Sequence, residues 1–400
     1  MNWNRSTLFK TMMGTAILTS TTYTAPALAD KDDTFNFTAG SVYTYDSNLF
    51  RAPAGFNQPN PEAERSDSIL KTNIGISIDK DYSLQKFKFD YWHEETKFTK
   101  NDFLDFNGNN YYGAWLWAIT PGLKGTLSSK RTVDLVPFID FQTATRNVRT
   151  TEYQVFDFDY SPHNKWHLLG GVSKLDVENS QVFIQEQSFK FKGIEAGVKY
   201  TFPSESFFKF MVRNRDGEQA ALPFALVSSG FKEDEQELSM FWLVSGKSRI
   251  LSNLGHLKRE DDDFSVRDFS GWFGGINYAW DITGKLNLTV DLSRRIAAFQ
   301  DTFSSYTTID TLTIKPTWAL TSKIKVSANA QYGHRKFLND GVQENFGRND
   351  DMVSYGVSAD WAPRDTIKIG VNLRHEERDS NAVNRDYSAD VASISGQLFF

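Results

Sequence analysis

The sequence predicts an all-β chain folded as a transmembrane antiparallel β-barrel of about 18 strands, with 16 as the alternative. Three observations predict it. Apolar and polar residues alternate with period two along most of the chain. Short turns alternate with long polar loops. An export signal precedes both.

The alternation is clearest late in the chain. Leu286, Leu288, Val290 and Leu292 alternate with Asn287, Thr289, Asp291 and Ser293. Ile324, Val326, Ala328 and Ala330 alternate with Lys325, Ser327, Asn329 and Gln331, and Ile367, Ile369, Val371 and Leu373 with Lys368, Gly370, Asn372 and Arg374. Successive strand side chains point to opposite faces, so each segment reads as a strand with one apolar and one wet face. No segment has a convincing 3.6-residue period. Aromatic residues make up 14% of the chain, yet mean hydropathy is −0.45. A sheet wet on one face reconciles the two.

Residues 1–29 read as a signal peptide. Arg5 and Lys10 form a basic start, Met12 to Leu18 a weakly apolar stretch, and Ala27-Leu28-Ala29 a small-x-small cleavage site. Residues 30–400 then form one barrel domain. The whole chain carries 44 Lys+Arg and 50 Asp+Glu, a net charge of −6, and losing Arg5 and Lys10 makes that −8. No later apolar run reaches the roughly 20 residues a helical span needs, so a membrane-embedded mature chain must be a barrel. The absence of cysteine excludes disulfide scaffolds, Cys₄ zinc sites and thiol nucleophiles. The acidic balance argues against nucleic acid as a partner.

Eight short turns recur about every 40 residues, from Asp79-Lys80-Asp81 through Thr120-Pro121-Gly122 and Pro203-Ser204-Glu205 to Ala362-Pro363-Arg364-Asp365. A propeller blade has a similar period, but its four short strands would put a turn about every ten residues. Here long loops rich in Asn, Asp, Gly, Arg and Glu lie between the short turns, the outer-membrane barrel pattern. Residues 130–150 and 231–259 fit the pattern least clearly. Tyr200, Phe202, Tyr278, Trp280, Trp318, Tyr355 and Trp361 sit beside short turns and suit an interfacial girdle. The last strand alternates Ala392, Ile394, Gly396, Leu398 and Phe400 with polar residues. A terminal Phe400 with Leu398 resembles the signal read by barrel-assembly machinery, so that machinery and outer-membrane lipid are expected partners.

The wet face carries both signs of charge. Lys86, Lys88, Asp90, Glu94, Glu195, Lys199, Lys209, Arg213, Asp291, Lys325, Asp360, Lys368, Arg374 and Glu376 are candidate pore-lining residues. A dry core could not accept so many ionisable groups. Lysines follow the short turns: Lys86, Lys124, Lys165, Lys209, Lys247, Lys285, Lys323 and Lys368. In a barrel they ring the periplasmic mouth, as rim solubilisers or as an attractor for an anionic polymer.

Catalytic patterns are weak, and neither an enzyme nor a cofactor is expected. His163-x₃-His167 lies in a turn without acidic company, so no metal site is expected. Ser68-x-x-Lys71 and Ser83-x-x-Lys86 lack companion motifs. Glu260-Asp261-Asp262-Asp263 lacks the spacing of a calcium loop.

Tyr45-Asp46-Ser47-Asn48-Leu49-Phe50-Arg51, Gly113-Ala114-Trp115-Leu116-Trp117, Trp166 and the terminal Phe400 resemble the EpsL-like outer-membrane proteins of exopolysaccharide biosynthesis operons, within the broader beta-barrel porins. The resemblance runs over the mature chain. It implies a role in moving a polysaccharide or oligosaccharide across the outer membrane and carries no catalytic residues. From the residues alone, Asp46, Asn48 and Arg51 also read as a turn that orders the first long loop. A general or sugar-selective diffusion porin, a receptor or adhesion barrel and a barrel hydrolase remain alternatives. The glycan, the transport direction and the oligomeric state stay open.

Overall fold

A computed structural model describes residues 34–55, 60–140, 142–181, 188–220, 230–263, 265–298, 306–338 and 347–400. The signal-peptide segment lies outside these residues. Eighteen strands follow in chain order among them. They are β1 (Phe35–Asp46), β2 (Asp67–Tyr82), β3 (Gln85–Phe98), β4 (Phe106–Thr120), β5 (Leu123–Leu135), β6 (Val148–His163), β7 (Trp166–Asn179), β8 (Phe189–Thr201) and β9 (Phe207–Gln219). The second half holds β10 (Gly230–Ser245), β11 (Ser248–Asp261), β12 (Phe269–Asp281), β13 (Leu286–Ala298), β14 (Tyr306–Ala319), β15 (Ile324–Leu338), β16 (Asn349–Arg364), β17 (Ile367–Ser380) and β18 (Tyr387–Phe399).

Each strand pairs antiparallel with its chain neighbours, and β1 pairs with both β2 and β18, which closes the sheet. Closure leaves no edge of unpaired backbone, the condition for a sheet in hydrocarbon. The seam is in register from Thr38 opposite Phe399 to Asp46 opposite Val391. Below it, Phe37 and Phe400 exchange both backbone hydrogen bonds, at 2.9 and 3.0 Å. Phe400 and Leu398 are exposed on the outer face.

Outer faces carry the large apolar residues, among them Ile74, Ile194, Leu292, Val357 and Ile394. Towards the short turns this belt becomes aromatic. Trp166 and Tyr200 meet edge to face at 4.9 Å, and Phe202 continues the chain of rings to Phe208 and Trp242. Tyr355 departs from the expected girdle: it lies in the long-loop half of β16, directly opposite His375. The first turn also differs. Asp79, Lys80 and Asp81 belong to β2, and the reversal falls at Ser83, whose φ is +55°. Asp79 and Asp81 there bond Lys86 across the hairpin at 2.7 and 3.0 Å, so a charged run that resembles a turn is an ion-paired strand end.

The apolar core is small and lies inside the barrel. Phe50, Ala52, Phe98, Leu104, Phe138 and Ala144 cluster at the long-loop end. Three connections supply most of it: β1–β2, β3–β4 with a 3-10 turn at Asp102–Leu104, and β5–β6.

Candidate functional site

The site begins with the turn after β1. Asn48 donates from Nδ2 to the carbonyls of Ala52 at 2.8 Å and Ser388 at 2.9 Å, and its Oδ1 accepts from the Ala52 N–H at 3.1 Å. Asp46 accepts from the Asn48 N–H at 2.9 Å. Arg51 has φ +51°, a left-handed conformation that costs a non-glycine residue about 1–2 kcal/mol. Ion pairs to Asp46 at 2.9 Å and Glu376 at 3.1 Å hold it there. All four polar side chains are buried, so the segment forms a knot that ties the first long loop to β17 and β18. Burial then brings Phe50 edge to face with Phe138 of the β5–β6 loop, at 4.7 Å.

The β5–β6 loop is the central feature. It leaves β5 at Val136 and returns at Asn147, where the Val136 N–H donates to the Asn147 carbonyl at 2.8 Å. Between them it crosses the barrel interior and docks on distant strands. Asp140 pairs with Arg335 of β15 at 2.6 Å. Arg378 of β17 donates to the Ile139 carbonyl at 2.6 Å, and Arg385 to the Asp140 carbonyl at 2.9 Å. Gln142 donates to the Arg51 carbonyl. Burial alone would push the Asp140 carboxyl up. Arg335, Arg378 and Arg348 outweigh it and hold the group below its ordinary 3.8. Asp350 pairs with Arg348 at 2.5 Å and stands 3.9 Å from Arg378. Arg378 is buried, lies over the Tyr387 ring at 4.8 Å, and its Nη2 makes no hydrogen bond.

A second ionic wall stands on β8–β11. Arg213 pairs with Glu195 at 2.9 Å, Glu237 at 3.0 Å and Glu235. Arg215 pairs with Glu233 at 3.2 Å and Glu235 at 2.9 Å, and Arg259 with Glu233 at 3.1 Å. These seven residues alternate with outward-facing ones, so adjacent strands present one continuous network to the lumen. Arg259 also stacks 3.6 Å over Phe231.

The structure places the expected pore-lining residues on interior faces. On β3, Lys86, Lys88 and Asp90 alternate with exposed Phe87, Phe89 and Tyr91, while Glu94 pairs with Lys71 at 2.8 Å. Lys209 lies opposite Lys199 in register. Asp291 accepts from Asn277 at 3.4 Å, Lys325 lies opposite Asp360, and Lys368 sits 4.9 Å over the Phe399 ring. Arg374 pairs with Glu376 at 2.9 Å.

The lysines after short turns divide in two. Lys86, Lys124, Lys209 and Lys368 occupy interior strand positions, whereas Lys165, Lys247, Lys285 and Lys323 lie in the turns and are exposed. Four turn lysines therefore belong to the rim and not to the wall. His167 also differs from expectation: its Nδ1 is 2.6 Å from buried Asp159, which Lys199 contacts at 3.0 Å.

Sequence reasoning missed Glu233, Glu235, Arg215 and Arg259, and with them Arg335, Arg348, Arg378 and Asp140. The signals were present. Phe231, Glu233, Glu235 and Glu237 fall at every second position, and Val136, Phe138, Ile139, Phe141 and Ala144 give the connection between β5 and β6 an apolar character.

A model of the family described as Putative beta-barrel porin 2 matches residues 252–398. OpdK from Pseudomonas aeruginosa is similar in structure at 11% identity and TM-score 0.53, covering 92% of this chain and 99% of its own. OccK2 (OpdF) from the same organism, solved with glucuronate, is 10% identical with TM-score 0.53, covering 92% and 98%. OccAB4 from Acinetobacter baumannii is 10% identical with TM-score 0.51 and the same coverage. No curated protein matches the sequence. The fold is that of an 18-strand outer-membrane porin barrel. Together with the apolar belt and the family match, it indicates the outer membrane of a Gram-negative bacterium. The family match bears on the broader barrel-porin resemblance and not on exopolysaccharide.

Proposed function

We propose that the protein is a diffusion channel for small hydrophilic solutes, with acids preferred, and that the short turns face the periplasm and the long loops the exterior. The β5–β6 loop carries this reading. It crosses the interior and is tied to β15 and β17 by bonds of 2.6 Å from Arg335 and Arg378. An 18-strand barrel without such a loop is wide enough for an aqueous channel; with it, the passage narrows to the space the loop leaves. The preference for acids rests on the cluster of Arg335, Arg348 and Arg378 beside the docked loop, which exceeds the carboxylates that pair with it. OccK2 bound to glucuronate and OpdK bound to vanillate are both barrels of this fold with a carboxylate ligand.

Export of an extracellular polysaccharide is the finer expectation from the resemblance. A docked loop leaves less room for a long flexible polymer than for a small solute, so export calls for the loop to be displaced. Planar-bilayer recording tests the choice. The intact channel should show small conductance that glucuronate blocks, and replacing residues 137–146 by a short Gly-Ser linker should raise conductance several-fold. Unchanged conductance after that replacement would remove the loop from the pore. Block of the intact channel by a long acidic oligosaccharide, but not by glucuronate, would favour the polymer.

A further inference from the structure

A groove of about 510 Å³ lies on the outer wall, beside the seam, where it crosses β15 to β18 and reaches β1. Its lining follows one line of cross-strand partners. Ala328 is opposite Val357, Val357 opposite Leu373, Leu373 opposite Ala392, and Ala392 opposite Tyr45. All five belong to the outward set of their strands, as the exposure of Val357, Leu373 and Tyr45 records. The two alanines make the depression, because their neighbours in the line are larger. The adjoining line, one step nearer the long loops, is Tyr355, His375 and Asp390. The His375 ring lies 5.1 Å from the Tyr355 ring, and its Nδ1 is 2.7 Å from Asp390.

We infer that this groove binds one acyl chain of an outer-leaflet lipid, with the headgroup over His375, Asp390 and the Tyr45 hydroxyl. Two features select this occupant. The groove opens within the apolar belt, between exposed Ile394, Val371 and Val353, so whatever fills it comes from the bilayer. Its polarity is also graded in one direction, apolar towards the short turns and hydrogen-bonding towards the long loops. That gradient matches an amphiphile whose headgroup lies at the exterior surface. A second copy of the barrel would need a broad self-complementary patch, whereas this surface is a narrow channel between side chains. The inference rests on the proposed orientation of the barrel, with the long loops outside, and not on what the lumen conducts.

Native mass spectrometry of the detergent-solubilised protein, titrated with lipid A as probe, tests it. The wild type should take one lipid A saturably. Ala328→Phe with Ala392→Phe fills the groove with residues suited to the lipid face, and should weaken that binding at least tenfold. Ala196→Phe on the outer face of β8 should leave it unchanged. Heat-modifiable mobility reports folding of every variant. Non-saturable uptake by the wild type, or equal binding by the filled variant, overturns the proposal. So does a lipid-free dimer that the filled variant disrupts, since that assigns the groove to a second copy.

Discussion

The β8–β11 wall and the β15–β18 wall are built from the same side chains and do different things. On β8–β11, Arg213, Arg215 and Arg259 find their carboxylates on strands already adjacent to them. These ion pairs brace the register of β8 to β11. On β15–β18, Arg335 and Arg378, with Arg385 beside them, spend their bonds on a segment that starts on β5. The carboxylates of the first wall, Glu195, Glu233, Glu235 and Glu237, outnumber its arginines. The second wall holds more arginines than carboxylates before the loop arrives. Arginines matched by carboxylates on adjacent strands make a wall; arginines in excess of their neighbouring carboxylates recruit a loop.

The largest effect should come from breaking the second wall. Arg378→Ala removes a buried guanidinium that holds the Ile139 carbonyl, and leaves Asp350 with one partner fewer. Loss of one member of a buried network costs about 3–5 kcal/mol. Here that loss should release the loop, seen as single-channel conductance several-fold above wild type. If conductance is unchanged and only stability falls, Arg335, Arg385 and Gln142 hold the loop without Arg378.

The same operation on the first wall should separate stability from conduction. Glu235→Gln leaves Arg213 and Arg215 without their shared, fully buried carboxylate. A lower temperature for the heat-modifiable shift is expected, by the equivalent of about 2–4 kcal/mol, with conductance near wild type. A rise in conductance matching that of Arg378→Ala would erase the distinction between the walls.

Acid offers a graded version. Asp140 is held below its ordinary 3.8 in the folded state, so its contribution is complete above that value and is lost as pH falls through the lower, folded one. Conductance should therefore stay small at neutral and mildly acidic pH and step upward only below 3.8. Asp140→Asn should abolish the step. A step of the same size in that variant assigns the acid response elsewhere.

The smallest effect concerns the lysines. Neutralising Lys86, Lys124, Lys209 and Lys368 to Gln should shift reversal potential in a salt gradient towards cations, most clearly at low salt. The same change at Lys165, Lys247, Lys285 and Lys323 should shift it less, because these sit in exposed turns. Equal shifts would restore a single ring of eight.

The sequence was legible where two environments flank one strand. Leu286 to Leu292 and Ile367 to Leu373 cross the apolar belt, so lipid on one side and water on the other impose period two. The signal fades above the belt, where both faces are wet. Lys232-Glu233-Asp234-Glu235-Gln236-Glu237 is polar throughout, and this hid the first wall although its interior members alternate correctly. The second wall was hidden for another reason. Arg335 and Asp140 are 195 residues apart, and no local pattern announces that pairing. The Tyr45–Arg51 motif stood between these cases: a turn was readable from Asp46 and Asn48, but not that Arg51 would hold the loop from β5.

The seam also sets a clock. Every other pairing joins neighbours in the chain and can form as soon as a hairpin has been made. β1 must wait for β18, and their contacts extend to the pair Phe37 and Phe400. Contacts between distant parts of a chain are the slow ones to form. Until this one forms, β1 and β18 each present a row of unsatisfied N–H and C=O groups ready to add any strand they meet. The molecule is therefore most prone to wrong pairing at the moment it is nearly complete, and what shields those two edges in that interval decides how much of it becomes a barrel.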